Sequence, residues 1–210
     1  MKLNKKKILV LALALSLLAL ISAGTLAWFT DSDSVTNNFH VATSTQEPDD
    51  IFSVTLLENV DADGDGYADT VVGGYSFENI YPGAQLVKEP FVTNTGSYDQ
   101  YIRVLVTIDA EYDALVGDLT ETYLGYDNTL WTAAGKSTNS GKVTYTYYLN
   151  AILAPNTSQT LFTHVEIPAE LDENDFARLS AGDFQMEIVA EAVQADNTGD
   201  NAQQAFALVG

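Results

Sequence analysis

The sequence has no cysteine and few basic residues, and each shortage excludes a class of site or partner. Without cysteine, the 210-residue chain cannot form disulfides, thiolate zinc sites or a cysteine nucleophile. It has 9 Lys and Arg against 29 Asp and Glu, a formal net charge of -20. Nucleic-acid binders need basic patches that displace counterions from phosphates, so we expect no nucleic-acid partner. The length suits one domain with a hydrophobic core, plus extensions.

The few basic residues are concentrated at the N-terminus, in front of an apolar run. Residues 8–21 are apolar except for Ser16, and no acidic residue occurs before Asp31. A positive start, about 14 apolar residues and then small residues is the arrangement of a secretory signal peptide. A membrane span needs about 20 apolar residues, so a retained anchor is the less favoured alternative. The basic residues before the run are Lys2, Lys5, Lys6 and Lys7.

Small side chains before the bond predict where a signal peptidase cuts. Thr25 and Ala27 meet this need, which predicts cleavage between Ala27 and Trp28, and a cut after Ala23 is the alternative. Removing residues 1–27 takes away four lysines and no acids, leaving 183 residues with a formal charge of -24. We therefore expect a secreted protein, in the extracellular matrix or at the cell surface, with no stable membrane span after cleavage.

The rest of the chain has the pattern of short β-strands. Residues 101–108 and 184–193 alternate between two sets of side chains, the period of a strand with one buried face. Further segments are rich in Val, Thr, Tyr, Ile or Phe and are separated by Gly, Pro, Asn or Asp. These are residues 34–41, 51–57, 67–72, 86–93, 143–149 and 159–167.

Many short strands without regular helices between them predict an all-β fold, an antiparallel β-sandwich of jelly-roll type. Short helical insertions are predicted at Tyr112–Tyr123 and Glu173–Leu179, and a C-terminal amphipathic helix at Ala202–Val209. We expect three parts: the signal peptide 1–27, an N-terminal segment 28–41, and a sandwich domain 42–210.

The most specific local motif is DADGDGYAD at residues 61–69. Alternating carboxylates around a glycine turn can supply the six to eight oxygens that calcium requires. The motif is similar to the calcium loops of dockerins and thrombospondin-type repeats. That resemblance implies a calcium site in which Asp61, Asp63, Asp65 and Asp69 are side-chain or water-mediated ligands and Tyr67 gives its backbone carbonyl. The twelfth position of such a loop is Val72, which has no carboxylate, and a solvated Asp-Gly hairpin is the alternative.

Three longer stretches resemble the TasA/camelysin family of exported proteins from Gram-positive bacteria. They are GTLAWFTDSDS (24–34), NIYPGAQLVKEPFVTNTGSYDQYIRVLVTI (79–108) and FQMEIVAEAVQADN (184–197). The resemblance implies a jelly-roll β-sandwich and cleavage by a signal peptidase of the SipW type. It also implies that cleaved subunits polymerise into biofilm-matrix fibres, the N-terminal segment of one adding as a strand to the next. Other matrix components are further candidate partners.

The residues after the predicted cleavage bond suit strand donation. Trp28 and Phe29 lead the new end, and Val35, Phe39 and Val41 follow in a largely polar segment. Two leading aromatics are poorly soluble alone, whereas in a groove of the next subunit they supply buried area while the backbone satisfies an open sheet edge. The alternative is that this segment folds back as the first strand of its own sandwich.

Two other functions remain as alternatives. Camelysin-like relatives have been described as metalloproteases, but the only histidines, His40 and His164, lie 124 residues apart and no His-Glu-x-x-His occurs. We therefore expect no enzyme. The aromatic residues Trp131, Tyr145, Tyr147 and Tyr148 would suit a calcium-dependent adhesion or polysaccharide-binding module if they formed an exposed platform.

Overall fold

A computed structural model describes residues 30–36, 53–77, 80–116, 124–175, 177, 185–196 and 198–209, with the backbone alone at 30–36 and 114–116. The predicted cleavage bond Ala27–Trp28 and the segment 37–52 lie outside the described residues.

Ten strands and two longer helices are described. The strands are β1 Thr30–Thr36, β2 Val54–Val60, β3 Thr70–Val72, β4 Gln85–Asn94, β5 Gln100–Asp109, β6 Trp131–Asn139, β7 Lys142–Leu149, β8 Ser158–Thr160, β9 His164–Glu166 and β10 Met186–Gln194. The helices are α1 Ala110–Val116 and α2 Ala202–Val209.

The strands form two sheets in which every pairing is antiparallel. The first sheet has the order β1-β10-β5-β7-β6. The second has the order β3-β2-β4-β8, and β9 also pairs with β4. The predicted all-β class with antiparallel sheets is confirmed.

One hydrophobic core joins the two sheets. It contains Leu56 and Val92 from the second sheet and Val104, Tyr147 and Ile188 from the first. Buried and partly exposed residues alternate along the central strands because successive side chains of a strand point to opposite faces. The core is therefore built from one face of each sheet.

The C-terminal helix packs on the outer face of the first sheet. Helix α2 has the predicted bounds, and its Phe206 is buried beside Tyr101 and Val193, with Val209 packed against the same group. Arg103 lies over the Phe206 ring at 4.4 Å from its centroid and is paired with Glu191. This helix gives the first sheet a second, smaller hydrophobic cluster.

Several predicted elements differ from the structure. The predicted strand 159–167 is two short strands, because the backbone leaves the ladder at 161–163, where Leu161 and Phe162 are both buried. Strand β6 was not predicted, since all its residues except Trp131 are exposed and carry no apolar alternation.

The predicted helices also differ in their bounds. Helix α1 begins at Ala110, and residues 117–123 of the predicted helix lie outside the described residues. Of the predicted helix 173–179, residues 173–175 and 177 are helical.

The aromatic platform is contradicted by burial. Trp131 and Tyr147 are 1% exposed and Tyr145 is 6% exposed, and all three belong to the core. The Trp131 indole donates a hydrogen bond to the Thr160 carbonyl at 2.8 Å, which links the edge of the first sheet to β8 of the second. These rings stabilise the fold and are not available to a polysaccharide.

Candidate functional site

The acidic loop lies between β2 and β3, at one end of the second sheet. Gly64 and Gly66 have left-handed backbone angles, with φ of 83° and 90°, which glycine adopts without the strain of a Cβ. These turns bring the carboxylates of Asp61, Asp63 and Asp65 to within 4.8 Å of one another. Three of the five predicted ligands therefore lie together.

The first aspartate is the centre of the loop's hydrogen bonding. Its Oδ1 accepts from the backbone amides of Gly64 at 2.7 Å and Asp65 at 3.1 Å, and its Oδ2 accepts from Gly66 at 2.8 Å. Desolvation acts to raise the pKa of Asp61, but the hydrogen bonds from Gly66, Gly64 and Asp65 lower it below the ordinary value. The loop thus holds Asp61 as a charged carboxylate.

The other predicted ligands occupy different positions. Asp65 Oδ1 accepts a hydrogen bond from the backbone amide of Tyr67 at 2.9 Å, which holds residues 65–67 in a tight turn. Asp69 lies outside the group of three and accepts from the Thr70 hydroxyl at 3.0 Å. The Tyr67 side chain is 73% exposed.

The donor set fits calcium better than zinc. Asp61, Asp63 and Asp65 form the one group of three or more His, Cys, Asp or Glu ligands within the described ranges, and it holds oxygen ligands alone. Calcium prefers such oxygens, whereas catalytic zinc sites usually include histidine. His164 lies outside this group, with its Nδ1 3.1 Å from the Thr163 hydroxyl, and His40 falls outside the described residues.

The predicted assembly segment contributes the edge strand β1. Thr30–Thr36 pairs antiparallel with β10 of the same chain, from Thr30 opposite Val193 to Thr36 opposite Glu187. This is the fold-back pairing that the sequence left as the alternative to donation. Of the other predicted assembly residues, Trp28, Phe29, Phe39 and Val41 lie outside the described residues.

The register of β1 places acidic positions on the core side of the sheet. Paired residues of neighbouring strands share a face, and the β10 partners concerned are buried in the core. Of the three core-side positions of β1, one is apolar and two are aspartate. The pairs are Val35 with Ile188, Asp33 with Ala190 and Asp31 with Ala192. Strand β1 lies at the edge of the first sheet, where its backbone pairs with β10.

A buried pair of opposite charges, Glu58 on β2 and Lys88 on β4, was not predicted from the sequence. Glu58 is fully buried and Lys88 is 1% exposed, inside the second sheet. The alternation of Val54, Leu56 and Val60 includes Glu58, so a strand extended to residue 60 would have placed it on the core face.

Comparisons with protein-family models, with curated proteins and with solved structures found no match for this chain. No helix among the described residues is long and apolar enough to cross a membrane.

Proposed function

We propose that the chain is an exported structural protein, a jelly-roll sandwich whose processed form polymerises into extracellular biofilm-matrix fibres by exchange of its N-terminal strand. The observation that carries the proposal is β1, the edge strand that the segment after the predicted cleavage bond forms on the first sheet. An edge strand can be replaced without breaking the rest of the sheet, and the same segment of a second copy offers β10 the same backbone pairing. The resemblance to the TasA/camelysin family supports the same conclusion.

Cleavage of the signal peptide determines when assembly can begin. While the signal peptide is attached, the segment that begins at Trp28 is tied to the export machinery and cannot enter a neighbour. After cleavage by a SipW-type peptidase, the segment has a free end with two aromatic residues. Strand exchange then links identical subunits, because each one donates a segment and accepts another.

A disulfide staple tests donation directly, because the chain has no cysteine of its own. Ser34 lies opposite Val189 in the β1–β10 register, so Ser34→Cys with Val189→Cys forms a matched pair. If the monomer is oxidised before assembly, we expect fibres to be lost and a reducing agent to restore them. The two single cysteine variants serve as controls for the substitutions themselves.

Oxidation after assembly distinguishes the two pairings. If β1 is donated, the staple joins neighbouring subunits, and a non-reducing gel shows a ladder of multimers. Fibres that yield only internally stapled monomers would show that β1 stays on its own chain and would refute strand donation. A processed chain that remains monomeric at every concentration would refute the structural role.

We propose in addition that the loop 61–66 binds calcium, with Asp61, Asp63 and Asp65 as side-chain ligands. The convergence of the three carboxylates and the charged state of Asp61 support this role. Calcium would screen a strongly acidic subunit locally and fix the β2–β3 connection. Asp69 and the Tyr67 carbonyl remain proposed as ligands that would join once an ion is bound.

Calorimetry of the processed chain tests the calcium site. We expect heat of binding for the wild type and none for Asp63→Ala with Asp65→Ala, with Asp172→Ala as a control in another exposed loop. Because the pKa of Asp61 is lowered, its carboxylate stays charged until the pH falls below the ordinary 3.8, so binding should persist at pH 5. Equal heats for the wild type and the double variant would remove this site.

A further inference from the structure

The buried Glu58 and Lys88 lie side by side on the inner face of the second sheet. Glu58 is opposite Pro90 in the β2–β4 register and Lys88 is opposite Val60, so the two side chains are diagonal neighbours on adjacent strands. The Lys88 Nζ contacts Oε1 of Glu58. Two reactive groups are thus held together where water is excluded.

The carboxylate is poorly satisfied as an ion. Oε1 of Glu58 contacts the lysine, and neither oxygen of Glu58 accepts a hydrogen bond from any other described residue. A buried charge is costly unless its polar atoms are bonded. Burial also lowers the pKa of Lys88, opposed by the nearby Glu58 carboxylate. Burial therefore favours the neutral, nucleophilic amine form of Lys88 beside the Glu58 carboxyl group.

We propose that Lys88 and Glu58 condense into an amide that cross-links β2 to β4. One proton passes from Nζ to the carboxylate, and the neutral amine attacks Cδ of Glu58 to form the C–N bond. A carboxyl oxygen then leaves with two hydrogens as one water molecule. An ammonium and a carboxylate become a neutral secondary amide and water, with no oxidant or reductant.

The surroundings suit this reaction in two ways. The fixed strands hold the nucleophile beside its target, which replaces a bimolecular encounter by an oriented contact. A cavity of about 60 Å³ borders Lys88 and is lined by Tyr75, Phe77, Leu86 and Met186 among others. It has room for the released water. The product leaves no charge in the core.

The cross-link would close a covalent loop that contains the acidic segment 61–69 and strand β3. Strands β2 and β4 would stay joined when the rest of the fold opens. This durability is independent of how subunits assemble, so the inference stands or falls separately from strand exchange.

The mass of the intact folded chain tests the proposal. We expect it to be about 18 Da below the mass calculated for the same form, the loss of one water. A protease digest should yield one branched peptide that contains both Glu58 and Lys88. Lys88→Arg keeps the cation but removes the nucleophilic amine, so it should show the full calculated mass.

A second variant checks the partner. Glu58→Gln would release ammonia in place of water and should reach the same final mass as the wild type. A wild-type chain at its full calculated mass would establish an ordinary ion pair and overturn the proposal. A loss of about 17 Da in the wild type would mean that an amide side chain had reacted, and would overturn the assignment of Glu58. If Lys88→Arg does not fold, the wild-type digest alone decides.

Discussion

The two sheets present different surfaces to the core that they share. The inward faces of the described strands β5, β7 and β10 carry no charged residue and one buried amide, Gln100, whereas the second sheet turns Glu58, Lys88 and Asn94 inward. Apolar faces stabilise by area and tolerate exchange of similar residues. Buried polar groups stabilise only in one arrangement, because an unpaired member costs its full desolvation. Strands β5, β7 and β10 of the first sheet are therefore held mainly by burial, whereas the second sheet depends on specific pairing as well.

The largest expected effect comes from breaking the charged pair. Lys88→Met leaves the carboxyl group of Glu58 buried without its partner, which should cost roughly 3–5 kcal/mol in the free energy of unfolding. Urea unfolding at pH 7 measures this loss. The double variant Lys88→Met with Glu58→Leu should recover part of it, because no buried carboxyl group is left without a partner. A loss below about 1 kcal/mol in the single variant would contradict the contrast between the sheets.

The buried amide of the second sheet should come next. Asn94 Nδ2 donates to the carbonyls of Tyr98 and Leu153, both at 2.8 Å, and its Oδ1 accepts from the Gly96 amide at 3.0 Å. Asn94→Ala removes these three hydrogen bonds, although the Leu153 carbonyl still accepts from the Gln100 amide and the Gly96 amide still donates to the Ser53 carbonyl. The substitution should cost about 1–3 kcal/mol, measured by urea unfolding. Thr93→Ala, on the other face of β4, is the matched control and should cost under about 0.5 kcal/mol.

A conservative change in the first sheet should be milder. Ile188→Val removes one methylene from a fully buried side chain and should cost about 0.5–1.5 kcal/mol. The shift in thermal midpoint, compared with that of Asn94→Ala in the same buffer, is the measurement. If Ile188→Val were as damaging as Lys88→Met, the first sheet would depend on specific fit as much as the second does.

The smallest effect is expected on the outer face of the first sheet. The side chains of Arg103 and Glu191 are 27% and 26% exposed, so solvent screens their ion pair. Arg103→Met should cost under about 1 kcal/mol. Much of that cost should disappear in 1 M salt, which chemical denaturation in urea with and without salt would reveal. A cost that salt does not change would assign it to packing on Phe206 instead.

The first sheet was largely predictable from sequence, and the reason is physical. Strands β5 and β10 alternate cleanly because one face is buried and the other is half exposed, and α2 has one apolar face for the same reason. Strand β6 could not be predicted because exposure on both sides leaves no alternation. The order of the strands depends on contacts between residues far apart in the chain, which local patterns do not encode.

The two candidate sites likewise differ in how far they could be predicted from the sequence. The loop 61–66 was predictable because all its groups are adjacent in sequence, and its glycine positions dictate the turn. The pairing of Glu58 with Lys88 joins residues 30 positions apart on neighbouring strands, so it appears only once β2 and β4 are in register. The pairing partner of β1 likewise depends on the fold.

The β6–β7 hairpin has a practical use. Its two-residue turn, Ser140 and Gly141, has positive φ angles of 50° and 79°, and the residues on both sides of it are exposed. Exposed turns of this kind tolerate inserted sequence well. The turn lies three strands away from β1 in the same sheet, so a short epitope or a fluorophore placed there would mark each subunit without touching its N-terminal strand.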